Sequence, residues 1–106
     1  MSEVIMLYVP CKDTEEAKKI ARQLVGNRQV ACANILPGCT SIYEWQGKIC
    51  EEKEVILIMK TVNSLHIEVE KAITDLHSYD CPGIVALNTD EVNLPFAQWI
   101  EKSVST

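Results

Sequence analysis

Two histidines, His66 and His77, and five cysteines carry most of the reactive chemistry this sequence offers. Nucleophilic catalysis needs a Ser, Cys or Thr within hydrogen-bond reach of a base, and neither histidine announces such a pair. His66 falls near the start of a helical pattern, off its apolar stripe, and reads as surface. His77 closes the same pattern, where an imidazolium is favoured by the helix dipole. A capping role and a ligand or acid-base role are both open to it. The cysteines, Cys11, Cys32, Cys39, Cys50 and Cys81, are odd in number, widely spaced and without a Cys-x-x-Cys pair, which disfavours structural zinc and a disulfide framework. Small apolar thiols packed in strands are the plain reading.

Lys60 is the next residue of interest, because it follows a buried-looking apolar run in phase with Ile56 and Ile58. A lysine there either snorkels out at the strand end or meets a carboxylate. Glu54 shares its parity, but six residues of extended chain separate the two by about 20 Å, so any such pair would join neighbouring chains. Tyr43 and Trp45 offer large contact area with a polar handle and read as interface anchors rather than a cofactor box. No Gly-rich phosphate loop is present.

The elements that position these residues centre on one long hairpin, Val30–Tyr43 as strand two and Lys48–Val62 as strand three. A Gln46-Gly47 turn joins them, with Gly47 free to take positive φ. The arms exceed ordinary strand length, so either they bend at Pro37-Gly38 or the tip projects beyond its domain. This turn pairs Trp45 with Lys48 and Tyr43 with Cys50, which leaves Cys39 four residues out of register with Cys50. Val4–Val9, ended by Pro10, reads as strand one. Asp13 can cap a first helix, Thr14–Val25, with Glu16 answering it, and Gly26-Asn27 supplies the stop. The acidic first turn of that helix reads as capping rather than as a cation site. Asn63-Ser64 can cap a second helix with the stripe Leu65, Val69, Ala72, Ile73 and Leu76, running to His77. Ser78–Gly83 is turn-rich, Ile84–Leu87 is a short fourth strand, and Asn93 can cap a last helix carrying Pro95, Phe96, Trp99 and Ile100.

The order β-α-β-β-α-β plus a terminal helix predicts an α+β, ferredoxin-like sandwich in a single domain, residues 1–106. In that fold one sheet face carries the helices and the other is normally wet. Here Val4–Val9, Val30–Ala33 and Val55–Met59 are apolar at both parities, so both faces need cover and the helices suffice for one. A second copy of the sheet is the economical cover, which predicts a homo-oligomer.

With ten Lys and Arg against fifteen Asp and Glu, a net charge of -5 sits poorly with phosphate-backbone binding, and nucleic acid is not an expected partner. No apolar run reaches the length of a membrane span, and Met1–Ile5 lacks a basic n-region, so no membrane partner and a cytoplasmic location are expected.

The segments Val30–Gly38, Ser41–Ile49, Glu54 with Lys60-Thr61, and His77–Pro82 closely resemble the CutA family of divalent-cation tolerance proteins, nearly end to end. The resemblance implies a ferredoxin-like subunit, a compact homotrimer similar to PII signalling proteins, and a role in tolerance of copper and other divalent metals. It also places Tyr43 and Trp45 at a subunit boundary. Copper binding in the family is associated with a cysteine ending strand one and a histidine pair closing helix two. Those positions hold Val9 and Leu76-His77 here, so His77 alone matches, with Cys11 two residues beyond Val9. Copper or another divalent cation is thus the implied cofactor, with none required for folding.

Two functional readings follow. In the first, a trimeric binding or sensing protein uses His77, Tyr79, Lys60 and the hairpin residues Tyr43, Trp45 and Glu54 of a neighbour to line an intersubunit cleft for a metal or a small anionic ligand. In the second, the trimer is a scaffold acting through protein contacts. An enzyme is not expected: no Arg and Asn phosphate site of an acylphosphatase can be assembled, and Tyr8 stands alone where an RNA-recognition module would carry several mid-strand aromatics.

Overall fold

The computed structural model describes residues 3–104. Seven elements follow in chain order: β1 (Val4–Cys11), α1 (Thr14–Gly26), β2 (Cys32–Trp45), β3 (Lys48–Val62), α2 (His66–Leu76), β4 (Val85–Asn88) and α3 (Leu94–Ser103). They form one antiparallel sheet in the order β2-β3-β1-β4, the expected ferredoxin-like arrangement with a terminal helix added.

Helix α1 begins where Asp13 accepts a hydrogen bond from the Glu16 N–H at 2.8 Å. That bond satisfies one of the free donors of the first turn. The helix buries Ala17, Ile20, Ala21 and Leu24. Together with Val69 and Ile73 of α2 and Ile100 of α3, these cover Leu7, Val9, Leu57 and Met59 of the two central strands. Each of the large side chains among these contributes roughly 1.5–3 kcal/mol of burial free energy.

Several boundaries differ from the sequence expectation. Strand β1 runs through Pro10 to Cys11, pairing Pro10 with Ile56, whereas the sequence pattern ended it at Pro10. Chain reversal after α1 places the positive φ on Arg28 (60°), not on Gly26 or Asn27. The Arg28 guanidinium then donates to the backbone carbonyls of Ser103 and Lys102 at 3.2 and 3.0 Å, neutralising the C-terminus of α3. Strand β2 starts at Cys32 and continues to Trp45, two residues later than expected at each end. A 3₁₀ turn, Asn63–Leu65, precedes α2, and no side chain caps either helix that was expected to be capped by Asn63-Ser64 or Asn93.

Of the two expectations for the hairpin, both hold. Pairing shifts between Leu36 and Cys39, with Gly38 at φ +84°, so the arm bends at Pro37-Gly38. Strand β1 pairs no further than Val55, so Cys39–Glu54 stands clear as a two-stranded ribbon on a molecule 46 Å in its longest dimension. Gln46 and Gly47, at φ 51° and 80°, make the turn. Cys39 pairs with Glu54, not Cys50, and all five cysteines are free.

The sheet face away from the helices carries Met6, Tyr8, Leu36, Ile56, Ile58, Lys60, Val85 and Leu87, placed together by the cross-strand register. Ile56 is buried, but Leu36 is 46% and Val85 51% exposed, so much of this apolar face lacks cover within the described residues.

Candidate functional site

Two features lie near the C-terminal ends of β1 and α2. The first is a buried polar joint. Helix α2 ends at Leu76, and His77 turns into extended backbone with its N–H still bonded to Ile73. This reversal tucks the imidazole inward, where its side chain is fully buried. Its Nδ1 accepts from the Tyr79 N–H at 3.1 Å. The other nitrogen, Nε2, therefore carries the proton and donates to the Pro10 carbonyl at 2.8 Å.

Glu16 lies alongside, with Oε1 3.9 Å from His77 Nε2. Its two oxygens accept from the backbone N–H groups of Lys12 (3.0 Å) and Ser78 (2.8 Å). Burial opposes ionisation of this carboxyl, but the bonds from Ser78 and Lys12 outweigh it and hold its pKa below the ordinary value. Glu16 thus ties the start of α1 to the segment after α2. The sequence reading saw a capping partner for Asp13; the observed contact reaches the N–H of Lys12, one residue before the cap. Nothing local signals the Ser78 bond, which spans 62 residues.

Cys11 completes the joint. Burial, followed by the nearby charge of Glu16, pushes its thiol up to about 12. Its Sγ, a Glu16 oxygen and a His77 nitrogen all lie within 4.8 Å of one another. That is a plausible spacing for metal donors, but the donor chemistry does not fit a resident ion. Both imidazole nitrogens and both carboxylate oxygens are already hydrogen-bonded, the thiol holds its proton, and no buried side-chain polar atom among the described residues lacks a partner. A metal would have to displace protons from Cys11 and His77 and break the contact to Pro10.

The second feature is an open cleft of about 540 Å³ between the ribbon and the loop after α2. Tyr43, Trp45, Glu52, Glu54, Tyr79 and Asp80 line it, with the thiols of Cys50 and Cys81. The Gln46-Gly47 turn and the bulge at Pro37-Gly38 together set the register of the ribbon. Before the bulge, Cys32, Asn34 and Leu36 pair with Lys60, Ile58 and Ile56; after it, Cys39, Ser41, Tyr43 and Trp45 pair with Glu54, Glu52, Cys50 and Lys48. Side-chain parity on β2 is therefore reversed relative to β3: the turn sets Tyr43 and Trp45 on the face of Glu52 and Glu54, and the inserted residue brings Cys32, Asn34 and Leu36 onto that same face.

The Tyr79 hydroxyl donates to Glu54 Oε2 at 2.7 Å, and the Tyr43 hydroxyl donates to Glu52. Burial and the bond to Glu54 raise the Tyr79 phenol well above its usual range, while the bond to Glu52 pushes Tyr43 up to about 12. Both phenols stay neutral donors. The chain thus brings together Tyr43, Trp45, Glu54 and Tyr79 of the residues singled out from sequence. It does not bring Lys60, whose Nζ donates to Asn34 Oδ1 at 2.6 Å on the uncovered sheet face. His77 and Cys11 sit in the buried joint behind the cleft, not in its wall. Glu52 and Asp80 were not singled out; the hairpin register could have pointed to Glu52, which faces Ser41 beside Tyr43, but nothing in the sequence pointed to Asp80.

The fold and cleft define a small α+β domain with an unpartnered sheet and a preformed acidic, aromatic recess. Residues 5–103 match the family model described as CutA1 divalent ion tolerance protein. The chain is 40% identical over 103 residues to the divalent-cation tolerance protein CutA of Thermus thermophilus, covering 97% of this chain and 98% of that one. It is 39% identical over 95 residues to human protein CutA, covering 90% of this chain but 53% of the longer human protein. Among solved structures, CutA1 from Ehrlichia chaffeensis superimposes with a TM-score of 0.95 at 32% identity, over 100% of this chain and 99% of that one. CutA1 from Oryza sativa gives a TM-score of 0.95 at 33% identity, over 98% and 95%. The chain belongs to the CutA divalent-cation tolerance family. No helix among the described residues is long and apolar enough to cross a membrane.

Proposed function

We propose that this chain acts in the cytoplasm as a non-catalytic homotrimer that supports tolerance of copper and other divalent cations, with the cleft beside Tyr43, Trp45, Glu54 and Tyr79 as its ligand site. The observation that carries the oligomer is the uncovered apolar face of Met6, Tyr8, Leu36, Ile58, Val85 and Leu87. Water contact with a patch of this kind is unfavourable, and a second sheet covers it. Lys60 lies on the same face and would meet a carboxylate of a neighbouring copy. The number three comes from the family resemblance.

Binding rather than catalysis is favoured by the histidines. His77 has both nitrogens engaged and the neighbouring Cys11 thiol holds its proton, while His66 pairs with Glu70 at 3.4 Å, so neither histidine activates a nucleophile. The acidic lining of the cleft favours a cation over the small anion that the sequence reading also allowed. The buried Cys11, Glu16 and His77 joint would hold copper only by giving up its own hydrogen bonds. That closure favours, as a second reading, a scaffold whose trimer works through protein contacts with no tight metal site.

Sedimentation equilibrium of the full chain, with and without Ile58→Glu, tests the assembly. The native chain is expected at three times its monomer mass, and the buried charge is expected to shift it to monomer. A monomeric native chain would overturn the reading. Titration calorimetry with metallic and organic cations on the folded trimer separates ligand binding from the scaffold reading.

A further inference from the structure

The lining of the cleft is unusual in composition. Three aromatic rings, Tyr43, Trp45 and Tyr79, stand with three carboxylates, Glu52, Glu54 and Asp80, and no basic side chain is among the lining residues. Resting on the reading of this cleft as the ligand site, we infer that its ligand is an organic ammonium ion, a quaternary or alkylated amine, rather than an anion or a bare metal.

Each alternative meets a specific obstacle. An anion would face three carboxylates with no compensating cation. A bare metal needs several donor atoms converging on one point, and the only group of three or more His, Cys, Asp or Glu donors that close among the described residues is Cys11, Glu16 and His77, outside this cleft. An organic cation needs no convergence. Its charge is spread over a wide, weakly hydrated surface that is attracted to ring faces, with Trp the strongest, and to carboxylates set beside them.

The hydroxyl bonds of Tyr43 to Glu52 and of Tyr79 to Glu54 place a carboxylate at the edge of each tyrosine ring. The same bonds keep both phenols protonated, so the rings present neutral π faces. Trp45, 63% exposed within the single chain near the ribbon tip, supplies the indole among the lining rings. At about 540 Å³ the recess falls within the size range of small-molecule sites.

The test is calorimetry on the full-length trimer with choline, its uncharged carbon isostere dimethylbutanol, inorganic phosphate and Cu(II). Choline is expected to bind and the isostere not. Trp45→Ala and Glu54→Gln are each expected to weaken choline roughly 3- to 30-fold, the span of one cation–π contact. Glutamine keeps an acceptor for Tyr79, so the second variant removes charge without removing the hydrogen bond. Equal binding of the isostere, or choline binding untouched by both variants, overturns the inference. Silence with choline alongside Cu(II) binding that Glu54→Gln abolishes, or phosphate binding that Glu54→Gln strengthens, also overturns it, but leaves the cleft as a ligand site. Silence with all four ligands overturns both readings.

Discussion

Replacing Glu16 by Gln probes the joint that holds the ends of α1 and α2 together. The carboxylate accepts two backbone N–H groups, Lys12 at 3.0 Å and Ser78 at 2.8 Å, from a residue only 8% exposed. Hydrogen bonds to an ionised acceptor are worth about 1.5–3 kcal/mol each. Glutamine keeps one carbonyl oxygen, so one bond is lost, the other falls to neutral strength, and a buried N–H is left without an acceptor. Relief from burying a charge returns part of this, giving a net loss of about 2 kcal/mol at neutral pH. The folded-state pKa of Glu16 lies below its ordinary 4.5. Its contribution is therefore fully present above pH 4.5 and fades as pH falls through the lower folded value. Urea denaturation at one fixed chain concentration, from pH 7 down to pH 3, is the assay, so that native and variant are compared under the same mass action. The gap between native and variant should be widest at pH 7 and narrow on acidification below 4.5. Equal stability at pH 7, or a gap that widens in acid, would refute the account of the joint.

Two further outcomes are expected. Arg28→Ala removes both bonds to the carbonyls ending α3 and should lower stability by about 1 kcal/mol, read by the same denaturation; no change would mean that solvent caps α3 equally well. At pH 8 the buried Cys11 thiol, pushed up to about 12, should resist iodoacetamide in the native protein while the exposed Cys81 is alkylated, as peptide mass spectrometry would show; rapid native labelling of Cys11 would contradict its burial.

Element identity was legible in the sequence because each element has a local signal. Asp13 before the stripe Ala17, Ile20, Ala21 and Leu24 marks a helix start, and Gln46-Gly47 between apolar arms marks a turn whose register follows by counting. Boundaries were less legible where tertiary pairing overrides local preference. Pro10 cannot donate to a ladder, yet the strand continues through it because Cys11 still pairs with Val55. Expected caps at Asn63-Ser64 and Asn93 formed no side-chain bonds, and the residues buried at those helix starts are Leu65 and Ala97.

By itself the sequence determined the ferredoxin-like order, the over-long hairpin and the surplus of apolar strand residues, because periodicity and composition are properties of neighbouring residues. Only the tertiary structure decided the chemistry. The bulge at Pro37-Gly38 set Cys32, Asn34 and Leu36 on the same sheet face as Tyr43 and Trp45, and the reversal after α2 sent Tyr79 to the cleft and His77 into the joint with Glu16. Those contacts join residues up to 67 positions apart. Their geometry depends on one-residue shifts in register and on how the chain leaves a helix, neither of which residue spacing encodes.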